Sequence, residues 1–228
     1  MSLDALGLTR LLQLASPALP VGAYSYSGGL ESAIEDGQVV DAASAERWIG
    51  DVLEYSLATY EAPILWRLSQ ALSNKDDEAF LRWNAIFRAG RETAELRTET
   101  LQMGRALKML LAELPYCDTA SLELLERAGA LTFPAAYAFA AQHMQVEAQA
   151  AVLGYLWGWL ENQVMAALKA SPVGQTAGQK MLTSLGARLP AIAASATQLA
   201  DEELCNFAPG LAIASSRHET QYSRLFRS

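Results

Sequence analysis

The chain has 228 residues, of which 51% are hydrophobic, and it carries a formal net charge of −8 at pH 7. This length allows one large core or two small domains, and the acidic balance argues against binding to nucleic acid, which rewards clustered Lys and Arg. The two cysteines, Cys117 and Cys205, show no metal-ligand spacing and cannot build a disulfide framework. The first fourteen residues lack the apolar run of a secretory signal. We therefore expect a cytoplasmic protein that binds no nucleic acid.

The first part of the chain predicts a series of short helices. Apolar residues from Leu3 onward mark a first helix that ends at Ser16 and Pro17. The prolines and glycines that follow prevent a regular element at once, and a short helix should then run through Leu30 and Ile34. Further helices are expected after a cap at Asp41 or Ser44, over residues 62–72 and around Phe80 to Phe87, with Trp48, Val52, Tyr55 and Tyr60 near the inner face of the first of them.

Residues 91–114 have the clearest two-faced helical pattern. Two apolar series repeat every seven residues, one through Leu96 and Met103 and one through Thr100 and Leu107, and charged residues that begin with Arg91 occupy the rest. The pattern favours a core face opposite a solvated face. The alternative is that the apolar stripe is a seam for a partner helix.

Residues 148–170 predict a helix at the centre of the fold. They are apolar nearly all round and carry no charge before Glu161, which is typical of a helix buried on every side or in a membrane. The run stops before the roughly 18 residues that a membrane span needs, so we expect a core helix and no membrane span. Gly154 and Gly158 should admit a bulky neighbour, and Pro172 should end the helix.

The remaining segments also read as helices and turns, without an alternating strand pattern. Helices are expected over residues 118–127, 134–144 and 175–189, from Pro190, and briefly over residues 211–216, after a loop at 201–210. The fold class is therefore all-α. We expect residues 1–228 to form a single domain of roughly ten helices around the central apolar helix.

The chemistry that the sequence offers is sparse. Residues 174–180 resemble a phosphate loop, but three residues separate the glycines where four are needed, so we expect no GTP or ATP site there. A buried Lys169 would suit a small helical enzyme, whereas an exposed one would complement the helix C-terminus and meet an acidic partner. His218 lies in a polar stretch, where it would hold a metal at most transiently. We predict no cofactor and no stable metal site.

The last twelve residues differ in charge from the acidic body. They hold three arginines against Glu219 alone, a net charge of +2. Because free chain ends are normally disordered, we expect residues 217–228 to be a mobile tail that becomes ordered on a partner. Tyr and Arg, which often anchor interfaces, recur along it.

Four stretches together resemble the UreF family of urease accessory proteins, and the similarity runs essentially from end to end. They are residues 11–31 (LLQLASPALPVGAYSYSGGLE), 91–99 (RETAELRTE), 169–175 (KASPVGQ) and 216–228 (SRHETQYSRLFRS). The last of these is the most specific.

The resemblance implies an all-helical, non-enzymatic protein that forms a homodimer and helps to install nickel in apo-urease. It implies a complex with UreD (UreH in some organisms) and the GTPase UreG, with UreE as a nickel donor. It also implies partner-binding residues in two groups and a distinctive N-terminal motif. The first group, facing the GTPase or a metal path, is Lys169, Pro172, Gly174 and Gln175; the second, facing UreD, is Arg217, His218, Glu219, Tyr222, Arg224, Leu225 and Phe226; the N-terminal motif contains Pro20, Gly22, Tyr24, Ser27, Gly29 and Glu31.

Overall fold

The structure, a computed structural model, describes residues 4–228, with the side chains of Thr119 and Ala120 left undescribed. Over these residues the chain is a single all-α domain without strands, as the sequence predicts. The helices are α1 (Ala5–Ala15), α2 (Leu30–Glu35), α3 (Ala42–Val52), α4 (Ala62–Ser73), α5 (Asp77–Ala89), α6 (Ala94–Glu113), α7 (Thr119–Arg127), α8 (Phe133–His143), α9 (Ala148–Ala170), α10 (Gln175–Gly186), α11 (Leu189–Ala196) and α12 (Pro209–His218).

Polar caps and prolines account for where many of these helices begin. The Asp41 carboxylate accepts from the backbone N–H of Ser44 at 2.8 Å, and the Ser44 hydroxyl in turn accepts from the Asp41 N–H, which makes the reciprocal capping box. The Thr93 hydroxyl caps α6 by accepting from the backbone N–H of Leu96, without the reciprocal bond. Prolines occupy the first turns of α4, α8, α11 and α12, where their missing N–H costs nothing. The expected first helix is present, although Leu3 lies outside the described residues.

A π-helical segment, Leu53–Glu61, joins α3 to α4 in one continuous helix, and no pattern in the sequence predicts it. Its wider turns change the register of the inward-facing side chains. Tyr55, expected near the inner face, is therefore exposed, while Tyr60 is buried. The same change turns Glu61 into the core, where it is 6% exposed.

Helix α9 lies at the centre of the packing. It contacts α1, α2, α3, α4, α8, α10 and α11. Gly154 permits the contact with α1, because a Cβ there would lie 2.5 Å from Leu11 Cδ1. The prediction of burial on every side is wrong in part, since Trp157 and Met165 reach solvent. After Ser171, the predicted turn leads into α10.

Helix α6 places its apolar stripe in the core. Met103 and Leu107 are buried, and the helix packs closely on α8 and on the residues just before it. A Cβ at Gly104 would lie only 2.3 Å from the carbonyl oxygen of Leu131, so glycine is needed for this approach. The core-face interpretation is thus correct over this stretch. Arg91, expected on the solvated side, instead precedes the helix and is buried.

The C-terminus departs most from expectation. Helix α12 continues through Arg217 and His218, which were expected to belong to a mobile tail. The remaining ten residues fold back over the body, where Phe226 and Ser228 are buried. An ordered end of this kind needs partners within the chain, and these define the candidate site.

Candidate functional site

The four stretches that carry the family resemblance come together at one place in the structure. Residues 11–31, called here the N-terminal motif, contact residues 217–228, called the C-terminal segment. Residues of the 91–99 stretch bind the same segment from α6, and Lys169 contacts it from the end of α9. We call this set of contacts the clasp. Segments separated by more than a hundred residues therefore build a single feature.

Glu31 is the centre of the clasp. Its Oε1 accepts from the backbone N–H of Leu225 at 2.7 Å, and its Oε2 accepts from the N–H of Phe226 at 3.0 Å. The same Oε2 lies 3.0 Å from Nε2 of His218. Gly29 helps to place this carboxylate: its φ of +80° is left-handed, and a Cβ there would lie 3.2 Å from the backbone nitrogen of Ser215 on α12.

His218 is wholly buried and held between two carboxylates. Its Nε2 faces Glu31, and its Nδ1 lies 2.8 Å from Oε2 of Glu95. Both ring nitrogens are thus engaged by acceptors, which an imidazolium satisfies by donating from each. The resemblance implies that His218 faces a partner, but in this structure neither ring nitrogen faces solvent. Burial raises the pKa of Glu95, although the nearby His218 opposes that shift.

The end of the C-terminal segment pairs with the N-terminal motif through backbone groups. The N–H of Ser27 donates to the carbonyl oxygen of Ser228 at 2.7 Å, and the N–H of Arg227 donates to the carbonyl oxygen of Ser25 at 2.8 Å. The hydroxyl of Ser228 donates to Oε2 of Glu99 at 2.8 Å. Burial raises the pKa of Glu99 to about 7, and its carboxyl group is therefore partly protonated near neutral pH.

Lys169 contacts the clasp from outside. Its side chain is exposed, and its Nζ lies 4.6 Å from the ring centroid of Phe226, within range of a cation–π interaction. Phe226 itself is 6% exposed. The buried catalytic lysine that the sequence left open is therefore absent at this position, and Lys169 covers the anchored aromatic ring.

The predicted partner-binding residues divide into an inner and an outer set. His218 and Phe226 face inward and hold the C-terminal segment on the body. The outer set reaches solvent, with Tyr222 almost fully exposed at 97%. It comprises Lys169, Pro172, Gly174, Gln175, Arg217, Glu219, Tyr222, Arg224 and Leu225. Within the N-terminal motif, Ser27, Gly29 and Glu31 are buried, while Pro20 and Tyr24 are exposed.

Two surface arginines tie the segment to the body. Nη1 of Arg224 lies 2.8 Å from Oε1 of Glu95, and Nη1 of Arg217 lies 2.5 Å from Oδ2 of Asp36. Exposed ion pairs such as the second contribute at most about 1 kcal/mol. The positive charge of the segment is thus partly neutralised by the acidic body, which the charge asymmetry of the sequence does not reveal.

Sequence reasoning missed a buried polar cluster beside the clasp. Nη1 of Arg91 donates to Oε1 of Glu61 at 2.6 Å, and the hydroxyl of Tyr155 donates to Oε2 of the same carboxylate at 2.7 Å. Burial, followed by the neighbouring Glu61, raises the pKa of Tyr155 well above its usual value. The available signal was the isolated Glu61 just before Pro63, but only the π-helical register turns it inward.

Metal and phosphate chemistry find little support in the described residues. Their His, Cys, Asp and Glu side chains form no group of three able to hold a metal ion. The glycines that resembled a phosphate loop belong to α10, where Gly174 is the N-cap and Gly178 packs against Leu168. In residues 4–228, no helix is both long and apolar enough to cross a bilayer.

Comparison with known proteins identifies close relatives. A family model described as UreF matches residues 39–186. The chain is 56% identical over 228 residues to the urease accessory protein UreF of Azoarcus sp. strain BH72, and the alignment covers 98% of this chain and 96% of that relative. It is 51% identical over 226 residues to the UreF of Janthinobacterium sp. strain Marseille, covering 99% and 100%. A bifunctional urease accessory protein UreEF of Bordetella bronchiseptica is 48% identical over 230 residues, which are all of this chain and 53% of that protein.

Proposed function

Because the chain belongs to the UreF family of urease accessory proteins, we propose that it acts without catalysis of its own, as a scaffold in the installation of nickel in apo-urease. In this proposal it binds UreD (UreH) and the GTPase UreG, and the assembly acts on apo-urease in the cytoplasm. The observation that carries the proposal is the clasp, where four distant segments combine into one ordered surface with exposed aromatic and charged side chains.

The outer face of the C-terminal segment is the proposed contact with UreD. Tyr222 and Leu225 are 97% and 59% exposed. They lie in the segment between His218 and Phe226 or next to its end, and these two buried residues hold that segment on the body. Such exposed apolar groups on a fixed backbone reduce the entropy lost when a partner binds. This changes the predicted role of the segment from a mobile tail to a preformed docking surface.

The turn after α9 is the proposed contact with UreG or with a path for nickel. Pro172, Gly174 and Gln175 are exposed, and Lys169 places a positive charge beside them. Nickel is a cargo in this proposal. We also propose that two copies of the chain form a homodimer, and the fused relative from Bordetella bronchiseptica supports a place for UreE as a nickel donor close to this chain.

The competing hypothesis of a small helical enzyme gains no support from its two candidate groups. Lys169 is exposed and stacks over an aromatic ring, while both nitrogens of His218 are engaged by carboxylates. General base catalysis requires a group within hydrogen-bond reach of a substrate. Buried His218 does not meet this condition, and exposed Lys169 lacks the desolvated pocket that activates a catalytic lysine.

The test is co-purification with UreD and UreG homologues, followed by an assay of urease activation. Tyr222→Ala and Leu225→Ala should weaken capture of UreD by a few kcal/mol in the manner of interface anchors, and should lower urease activation in parallel. Phe207→Ala is the matched control, because Phe207 is a similarly exposed ring (73%) outside the four converging stretches. Unchanged capture by both tail variants, with unchanged melting temperatures, would contradict the docking role.

A further inference from the structure

A pocket of about 210 Å³ enters the molecule beside the N-terminal motif. Exposed residues line its outer part, among them Pro17, Tyr24 and Met165. Buried residues line its inner part, among them Glu61 and Arg91. The pocket therefore leads from the surface to the buried polar cluster.

The inner end of the pocket carries polar atoms that lack partners. Arg91 is 7% exposed and Tyr137 is 2% exposed. Among the described residues, neither Nε of Arg91 nor the hydroxyl of Tyr137 has a hydrogen-bond partner. Buried polar groups left unpaired are costly and rare in folded proteins. Two of them on the wall of one pocket therefore indicate a site that a ligand completes.

The geometry around Tyr137 fixes its hydroxyl at the wall. The ring packs edge-on against Tyr155 at 5.4 Å between centroids, and edge-on against Phe133 at 5.8 Å. Its oxygen lies 3.0 Å from the position of a Cβ on Gly154, and that glycine also lines the pocket. The hydroxyl is thus held next to the free volume and has little room to turn toward a partner elsewhere.

The charges at the inner end favour a neutral ligand. Glu61 and Arg91 compensate each other through their 2.6 Å ion pair. An anion would meet the carboxyl groups of Glu61 and Glu99, and a cation would meet Arg91, each at a desolvation cost that burial increases. The unpartnered Arg91 Nε–H requires a hydrogen-bond acceptor, and the Tyr137 hydroxyl serves as donor or acceptor.

Most of the remaining wall is apolar, although Glu161, Asn162 and Gln163 also line the pocket. Leu14, Val21, Leu57, Met103 and Phe133 surround the volume between the mouth and the polar end. A dry apolar cavity of about 150 Å³ holds a molecule the size of benzene. The larger volume here admits a six-membered ring with one polar substituent.

We propose that this pocket binds a small neutral molecule with an apolar body and one hydroxyl or carbonyl group, whose oxygen accepts from Arg91 Nε and hydrogen-bonds with the Tyr137 hydroxyl. The site lies inside the chain, apart from the clasp surface that the proposed scaffold presents to its partners. Its occupancy is therefore measurable on the isolated chain, whatever the outcome of the co-purification experiments.

The test uses phenol as the probe, benzene as the apolar comparison and calorimetry on the full chain. Phenol should bind at one site per chain. Tyr137→Phe should weaken phenol binding about tenfold, equivalent to ~1.4 kcal/mol, and leave benzene binding unchanged. The variant should fold, because the hydroxyl that it removes has no partner among the described residues.

Tyr60→Phe is the matched control, because it makes the same chemical change outside the pocket, where the hydroxyl donates to the carbonyl oxygen of Ile86. Phenol affinity should not change in it. As a measurement independent of variants, phenol should shift the NMR signals of labelled Tyr137 and Tyr155 and leave those of Tyr60 unmoved. The proposal is overturned if phenol does not bind below the concentration at which it lowers the melting temperature. Equal affinity of wild type and Tyr137→Phe for phenol would overturn it too, since the Tyr137 hydroxyl would then contribute nothing to binding.

Discussion

Replacing Glu31 with Gln should loosen the clasp at its centre. The carboxylate of Glu31 accepts hydrogen bonds from the backbone of Leu225 and Phe226 and from the ring of His218, and the residue is 6% exposed. A glutamine amide has one acceptor oxygen, and its NH₂ group would face a group that also donates. The substitution therefore keeps the shape of the side chain and removes its ability to satisfy all three donors.

The size of the effect follows from these contacts. Hydrogen bonds to a charged group contribute roughly 1.5–3 kcal/mol each, and a buried donor left unpaired costs about 1–3 kcal/mol. Since Gln retains one acceptor, we expect the free energy of unfolding to fall by about 2–4 kcal/mol. For a chain of this size, 1 kcal/mol corresponds to ~2–4 °C, so the melting temperature should fall by roughly 5–15 °C.

Urea unfolding and limited trypsin digestion measure the global and the local consequences separately. Arg224 and Arg227 are exposed already, but trypsin needs a flexible backbone around the cleaved bond, so detachment of the C-terminal segment in Glu31→Gln should make cleavage there faster. The control is Glu35→Gln on the same helix, because the side chain of Glu35 is exposed. If the two variants have the same melting temperature and are cleaved at the same rate, the clasp does not hold the C-terminal segment on the body.

Three further predictions concern pH, packing and ligands. The pKa of Glu99 is raised from its ordinary value of 4.5 to about 7 in the folded chain. Between pH 4.5 and pH 7 the folded state therefore binds more protons than the unfolded state, and the contribution of Glu99 to stability falls as the pH rises. Glu99→Gln should thus match the wild type at pH 5 and exceed it by about 2 kcal/mol at pH 8 in urea unfolding; a gap independent of pH would refute the assignment. Gly104→Ala should lower the free energy of unfolding by more than ~2 kcal/mol, since its Cβ would meet the Leu131 carbonyl oxygen at 2.3 Å. Gly158→Ala should raise it by roughly 0.5–1 kcal/mol, because the nearest atom to its Cβ would lie 3.7 Å away. Equal melting temperatures of the two variants would show that α6 does not pack tightly at Gly104. Calorimetry with GTP or Ni²⁺ should detect no micromolar site on the isolated chain, and one tight site per chain for either would overturn the proposed absence of such a site.

The helices were predictable because their signals are local. The Asp41–Ser44 capping box, the prolines in first helical turns and the apolar spacing of α9 each act within a few residues of sequence. The π-helical segment was not predictable, because no capping residue, proline or glycine marks it in the sequence. A register change there alters which of Tyr55 and Tyr60 faces the core.

The clasp depended on contacts that no local pattern encodes. The sequence singled out Glu31, Lys169 and the C-terminal stretch as parts of a family resemblance, but gave no reason to place them together. The expected mobility of the segment was wrong because Phe226 and His218 find buried positions on the body. General rules for chain ends assume that such partners are absent.

Deletion of residues 222–228 does not separate docking from folding. The deletion removes Phe226 from its buried site and leaves Glu31 without two of its donors. The melting temperature should therefore fall together with partner capture, and neither loss would identify the docking residues. Only the outward side chains Tyr222 and Leu225 distinguish the two roles, because their removal leaves the inner contacts intact. Capture lost at an unchanged melting temperature is the result that a preformed docking surface requires.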